Sequence, residues 1–207
     1  MPNYRHGKKE ETIPFDHIRQ QVAEANLSIE EEAFFWLLYY CGVRKSEAYE
    51  RVAEDFKITA SHLIVDFHQR KKNGNEVPPL ELPRHWYGVP LIVDLVKKAK
   101  EGKARNKAVY VYVDKRRTRK LVKGQWVFKH IQSTKAWQIV RKVLGKGYYP
   151  HFLRLNRLTE IGRDPTASLT RLKSFSGIKS VTALNAYLGA DKKEQKAALD
   201  YMDRQYA

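Results

Sequence analysis

His151 and Arg154 lie three residues apart in Tyr149-Pro150-His151-Phe152-Leu153-Arg154, a spacing that sets an imidazole and a guanidinium on one face of a helix. The pair combines a proton carrier with a planar fork of donors matched to phosphate. Pro150 suits the first helical turn, where its missing N–H costs nothing. The periodicity predicts that Phe152, Leu153, Leu155 and Leu158 turn inward while His151 and Arg154 project together. His-x-x-Arg also arises by chance as a surface pair or a helix cap, so its meaning depends on the residues that accompany it.

Arg44 is the first of these. In Gly42-Val43-Arg44-Lys45-Ser46-Glu47-Ala48 the glycine breaks a helix, the arginine is presented, and a helix restarts with an acid three positions on. Two readings stand: a surface arginine paired with Glu47, or an arginine held rigidly so that its fork meets a phosphate. Further on, Lys71-Lys72-Asn73-Gly74-Asn75 places the strongest short hairpin signal between β-forming runs at 62–68 and 76–82. Lys71 and Lys72 are thus expected at a hairpin tip, on what Pro78 and Pro79 mark as a sheet edge. Tyr187 ends a helical stretch just before Gly189, a place where a lone tyrosine ordinarily packs.

The elements that must position these residues are mainly helical. After a charged arm at 1–12, a helix is expected beyond Pro14 with Ile18, Val22 and Ala25 inward. Ser28-Ile-Glu-Glu31 has the form of a capping box, and opens a helix from Ile29 that is apolar nearly all round and therefore central. That helix contains Cys41, expected in the core, and stops at Gly42. A helix over 88–100 follows. Residues 97–123 then carry twelve Lys and Arg against two acids. Within them Val109–Val113 and Leu121–Phe128 are expected to pair around a basic loop from Asp114 to Lys120. Ser133 is expected to cap a helix with Ala136, Trp137, Val140 and Val143 on its apolar face. It ends at Gly145 and Gly147, ahead of the His151 helix. Asp164-Pro165 opens another helix, and Asp191-Lys-Lys-Glu194 a last one with Leu199, Met202 and Tyr206 on one stripe.

The whole chain has 207 residues with 43% apolar and 30% charged residues, enough to bury a core and expected to stay in water. Lys and Arg number 39 against 23 Asp and Glu, a formal net charge of +16. Such a balance attracts polyanions, and double-stranded DNA is the first partner to expect, contacted through Lys71, Lys115, Arg116, Arg117, Arg119, Lys120 and Lys179. An RNA-binding module is disfavoured because the aromatics fall on helical core stripes. No apolar run approaches the roughly 18 residues that span a bilayer, and the N-terminus is too polar for a signal peptide. No membrane contact is expected, and the cell interior is the expected location. The single Cys41 excludes an internal disulfide and a Cys-based metal site, and neither a metal nor a cofactor is expected.

Taken in order, Gly42-Val-Arg44-Lys-Ser-Glu47, the Lys72 hairpin, His151-x-x-Arg154, and Gly177-Ile-Lys-Ser180 ahead of Tyr187 resemble the catalytic domain of the tyrosine recombinase or phage integrase family. Within that family the resemblance is to the archaeal or viral type of integrase. The resemblance spans roughly residues 13–190. It implies an α+β, mainly helical fold with small antiparallel hairpins at one edge; the flexible basic arm at 1–12 precedes it, and the helix over 191–207 follows it, docked in cis or on a neighbouring protomer. It further implies site-specific cleavage and rejoining of duplex DNA through a 3′-phosphotyrosyl intermediate, with the chain assembling as a dimer or tetramer on DNA. Arg44 and Arg154 would hold the scissile phosphate, Tyr187 attack it, Lys72 protonate the leaving oxygen and His151 assist the tyrosine proton. Metal-free phosphodiester cleavage needs this inventory of cations, nucleophile and acid. Ile178 departs from the pattern, standing where the family usually has a second His or a Trp on the phosphate. The length leaves no room for the family's N-terminal clamp domain, so a stand-alone catalytic domain, a fragment, or a descendant that only binds duplex DNA are all compatible.

Overall fold

The computed structural model describes residues 12–67, 78–113, 116–164, 168–176 and 178. The expected tip lysines Lys71 and Lys72, and Lys115, Lys179, Tyr187 and the 191–207 helix, lie outside these residues.

Seven helices and five strands follow in the order α1 (Phe15–Glu24), α2 (Ile29–Cys41), α3 (Lys45–Tyr49), β1 (Phe56–Ile58), β2 (His62–Val65), β3 (Leu80–Pro83), α4 (Val89–Glu101), β4 (Arg105–Val113), β5 (Arg116–Gly124), α5 (Ser133–Leu144), α6 (Pro150–Arg163) and α7 (Leu169–Ser176) among the described residues. A single 3-10 turn, Ala53–Asp55, leads into β1. The fold is mainly helical, with two small antiparallel sheets, as expected from the sequence.

The centre is α2. The expected capping box forms: the Glu31 N–H donates to Ser28 Oγ and the Ser28 N–H to the Glu31 carboxylate. From Ala33 to Cys41 every side chain of α2 is buried, so neighbours must surround it, and α4, α5 and α6 pack on it. Trp36 anchors an aromatic cluster with Phe15, Phe35, Tyr39, Tyr40 and Tyr87. Gly88, the residue before α4, is required by this packing: its φ is +77°, and a Cβ there would stand 2.1 Å from Trp36 Cδ1.

The first sheet has the order β1-β2-β3, so β3 is an edge strand as expected, although Pro78 and Pro79, which gave that signal, stand just before the strand and not within it. β1 was not expected. The second sheet is a two-stranded ribbon of β4 and β5, and it differs from the expectation in register. Val109 faces Lys120 and Tyr110 faces Arg119, while strand structure ends at Gly124. The expected basic loop from Asp114 to Lys120 is therefore mostly strand: Arg116, Arg117, Arg119 and Lys120 belong to β5. A ribbon standing partly in water needs no apolar alternation on its open side, so charge does not mark it as a loop. In α5, Gln132 occupies the position before the helix and Ser133 is its first residue, so the expected Ser133 cap is not made.

Candidate functional site

Arg44, His151 and Arg154 are brought together where the loop after α2 meets the start of α6. Gly42 ends α2 in the left-handed conformation, φ +53°, and its N–H bonds back to the Leu38 carbonyl. That reversal throws Val43 into the core and leaves Arg44 at the N-terminus of α3, its side chain 73% exposed. Glu47 fixes this corner by accepting from the Arg44 N–H at 2.7 Å. Its other oxygen lies 3.6 Å from the guanidinium. The pairing with Glu47 is therefore present, with the carboxylate holding the backbone while the guanidinium remains largely in solvent.

Pro150 opens α6 at the expected place, with Phe152, Leu153 and Leu158 buried. His151 is exposed. Arg154 departs from the expectation. It does not project beside His151 but is only 6% exposed, donating Nη1 to the Gly42 carbonyl and Nη2 to the Ser176 carbonyl at 2.9 Å. A buried guanidinium needs acceptors on its rigid fork. Two main-chain carbonyls, one closing α2 and one ending α7, supply them. Arg154 therefore ties the Arg44 corner to the end of α7, from which the chain runs on toward position 187.

His151 feels both arginines. Partial burial first, and then the charges of Arg154 and Arg44, hold its imidazole below the ordinary value, so it is neutral at neutral pH. Its ring lies nearly parallel to that of Tyr149, 6.5 Å away, and Tyr149 stacks in turn on Trp137 of α5 at 5.8 Å. Lys45 and Arg141 place their cations 5.6 and 4.8 Å from the Trp137 ring. This cationic and aromatic margin beside Arg44 was missed in the sequence, where Trp137 counts as one more residue of an apolar stripe. In the structure it is half-buried, with its ring in this stack.

Lys107 was missed too. It lies among the basic residues of β4 but is only 5% exposed, donating Nζ to the Tyr49 carbonyl at 2.7 Å and to the Phe128 carbonyl. Burial pushes its pKa down to about 8, opposed by Glu30 and Glu50. It fastens the root of the ribbon to the end of α3. Nothing in a run of twelve basic residues singles out the one that folds inward.

Ile178 packs with Phe175 and Ile161 against Leu158 and Leu172, so the position expected to lack a phosphate-bonding side chain joins a small apolar cluster. Among the described residues no group of three or more His, Cys, Asp or Glu is placed to hold a metal ion. No helix of the described residues is long and apolar enough to cross a membrane.

No protein-family model matches the chain, and no curated protein matches it. Solved structures do. A XerA recombinase is similar over 100% of this chain and 66% of its own, at 16% identity and a TM-score of 0.60. The XerH site-specific recombinase bound to difH substrate in a pre-cleavage complex is similar over 89% of this chain and 52% of its own, at 10% identity and a TM-score of 0.60. The same enzyme in a post-cleavage complex with a palindromic difH substrate matches over 95% and 54%, at 12% identity and a TM-score of 0.62. The chain has a tyrosine-recombinase-like catalytic fold, and it spans between about half and two thirds of the length of these structures.

Proposed function

We propose that residues 13–190 are the catalytic unit of a site-specific recombinase that cleaves and rejoins duplex DNA through a phosphotyrosyl link. The observation that carries this reading is the convergence of Arg44, His151 and Arg154 on a recombinase-like fold. The exposed Arg44 fork takes the non-bridging oxygens of the scissile phosphate, and the buried Arg154 adds its charge from the floor while holding the site's backbone. Two fixed cations stabilise the charge that develops on phosphorus-bound oxygen. The Tyr187 oxygen attacks phosphorus and passes its proton to neutral His151. The P–O5′ bond breaks, and the departing oxygen takes a proton from Lys72 of the hairpin. Rejoining runs the same steps backwards. Lys71, Lys115, Arg116, Arg117, Arg119, Lys120 and Lys179 serve DNA binding, and the chain assembles on DNA as a dimer or tetramer, with the 191–207 helix docked in cis or on a neighbouring protomer.

A second reading has its own support. With Ile178 turned into an apolar cluster, the phosphate loses one donor of the family pattern, which favours a weakened relative acting as a duplex-binding protein. A duplex carrying a nick next to the cleavage site separates the two. The enzyme traps itself as a covalent, protease-sensitive adduct that Tyr187→Phe abolishes with DNA affinity nearly unchanged. Tight duplex binding with no adduct supports the binding protein, and an adduct that moves with Tyr201 or Tyr206 assigns the nucleophile elsewhere.

A further inference from the structure

The β4–β5 ribbon has two unlike faces. Cross-strand partners share a face, so the register puts Lys107, Val109, Lys120 and Val122 on one side and Asn106, Ala108, Arg119, Leu121 and Lys123 on the other. The first side is docked at its root, where Lys107 and Val109 are 5% and 6% exposed. There Lys107 is clamped on the carbonyls of Tyr49 and Phe128, and Trp126 Nε1 donates to the Arg105 carbonyl at 2.7 Å. The docking covers Lys107 and Val109 but not Lys120 and Val122, which are exposed, whereas on the second side Asn106, Arg119, Leu121 and Lys123 are all exposed.

On that side Leu121 is 74% exposed, between Arg119 and Lys123, both exposed, with Asn106 exposed opposite Lys123. A leucine held in water between two cations does nothing for the fold. It suits a surface that is apolar in places and anionic at its margins. We propose that this face enters the major groove of duplex DNA and reads base edges there. The proposal rests on the DNA reading above and adds a sequence-reading element separate from the Arg44–His151–Arg154 cluster.

Dimensions and chemistry agree. Two strands about 4.8 Å apart with their side chains fill a groove about 12 Å wide, and are too broad for a minor groove of about 6 Å. Strands of nine residues reach about 30 Å at roughly 3.3 Å per residue, long enough to lie in the groove while rooted in the protein. The exposed side chains match base edges: Arg119 and Lys123 to guanine N7 and O6, Asn106 to adenine N6 and N7, Leu121 to the thymine methyl.

The test is selection of bound duplexes from a randomised library by wild type and by Arg119→Ala, Leu121→Ala and Asn106→Ala. All three sites are exposed, so unchanged thermal melting is expected and verifies the fold. The enriched duplex is then rebuilt with 7-deazaguanine or with uracil for thymine at single positions. For wild type, one analogue at a contacted base should weaken binding about 5- to 150-fold, the range of a single base contact. Arg119→Ala should become indifferent to one 7-deazaguanine, and Leu121→Ala to one uracil. Identical motifs and analogue penalties in all variants would overturn the ribbon as reader and leave DNA binding intact. So would a uniform loss of affinity with no analogue effect, the mark of phosphate contact. Failure of wild type to bind any duplex at low salt would overturn the DNA reading itself, and this proposal with it.

Discussion

Arg44 and Arg154 carry the same guanidinium on opposite sides of one loop. Arg44 is 73% exposed and leans on a single carboxylate, whereas Arg154 is 6% exposed and bonded to carbonyls that close α2 and end α7. One stands at the surface with a single carboxylate beside it, and the other holds together the backbone where the end of α2 meets the end of α7. Residue type alone assigns both to phosphate. Burial and partners divide the labour.

The largest effect should come from breaking the floor. Arg154→Ala leaves the carbonyls of Gly42 and Ser176 without these donors and opens a void beneath them, costing roughly 2–5 kcal/mol of stability and abolishing cleavage. Arg44→Ala removes an exposed side chain while the backbone bond to Glu47 survives. Its stability should stay within about 0.5 kcal/mol of wild type while cleavage falls roughly 100- to 1,000-fold. Urea denaturation beside single-turnover cleavage of a nicked duplex reads both, and equal destabilisation in the two variants would erase the contrast.

Lys107 extends the comparison, being a second buried cation that bridges two carbonyls. Lys107→Met should cost about 1–3 kcal/mol through the unpaired acceptors. Unlike Arg154, this cation titrates. Its folded pKa of about 8 lies below the unfolded value near 10.4. The stability it confers is therefore fully present above the unfolded value and is lost as pH falls through the folded one. Wild type should gain stability between about pH 8 and 10 relative to Lys107→Met. A parallel pH dependence in the two proteins would refute the inward placement of its charge.

Gly42 is the joint between the two arginines, since its conformation presents Arg44 and its carbonyl receives Arg154. At φ +53° an alanine is strained whatever the space, and its Cβ would come 3.3 Å from the Phe175 ring. Gly42→Ala should therefore cost roughly 1–2 kcal/mol, with a further loss of cleavage as Arg44 swings. Wild-type stability and rate together would show that the joint carries no constraint.

Where the fold obeys local chemistry, the sequence is transparent. Ser28 with Glu31, Gly42, Pro150 and Gly145 mark helix ends by capping geometry that needs no tertiary information. β1 escapes notice because three residues carry no periodicity and form a strand only by pairing with β2. The outer part of the ribbon looks like a loop because charge on an open face carries no burial signal. At the site, the convergence of Arg44, His151 and Arg154 is legible from motif order. The inward turns of Arg154 and Lys107 are not, since each depends on carbonyls supplied by distant segments.

The smallest effect is the finest measure of the contrast between the arginines. Burial lowers the His151 pKa first, and Arg154 and Arg44 lower it further, so its proton-accepting form persists below the ordinary value near 6.5. The group's contribution to stability is accordingly present above the unfolded value and lost as pH falls through the lower folded one. The Arg154 charge is fixed in the floor, but the Arg44 charge can be removed without loss of fold. Arg44→Ala should therefore raise the His151 pKa, seen by NMR titration of its Cε1 proton, while Arg44→Lys keeps it near wild type because charge, not shape, sets the effect. In cleavage, the acid limb of kcat/KM should lie below pH 6.5 for wild type. Arg44→Lys should hold that limb in place although the lysine grips phosphate less well, separating the field of Arg44 from its fork. An unmoved His151 titration in Arg44→Ala would mean that the exposed guanidinium is screened by water before it reaches the imidazole. The buried one alone would then keep His151 neutral.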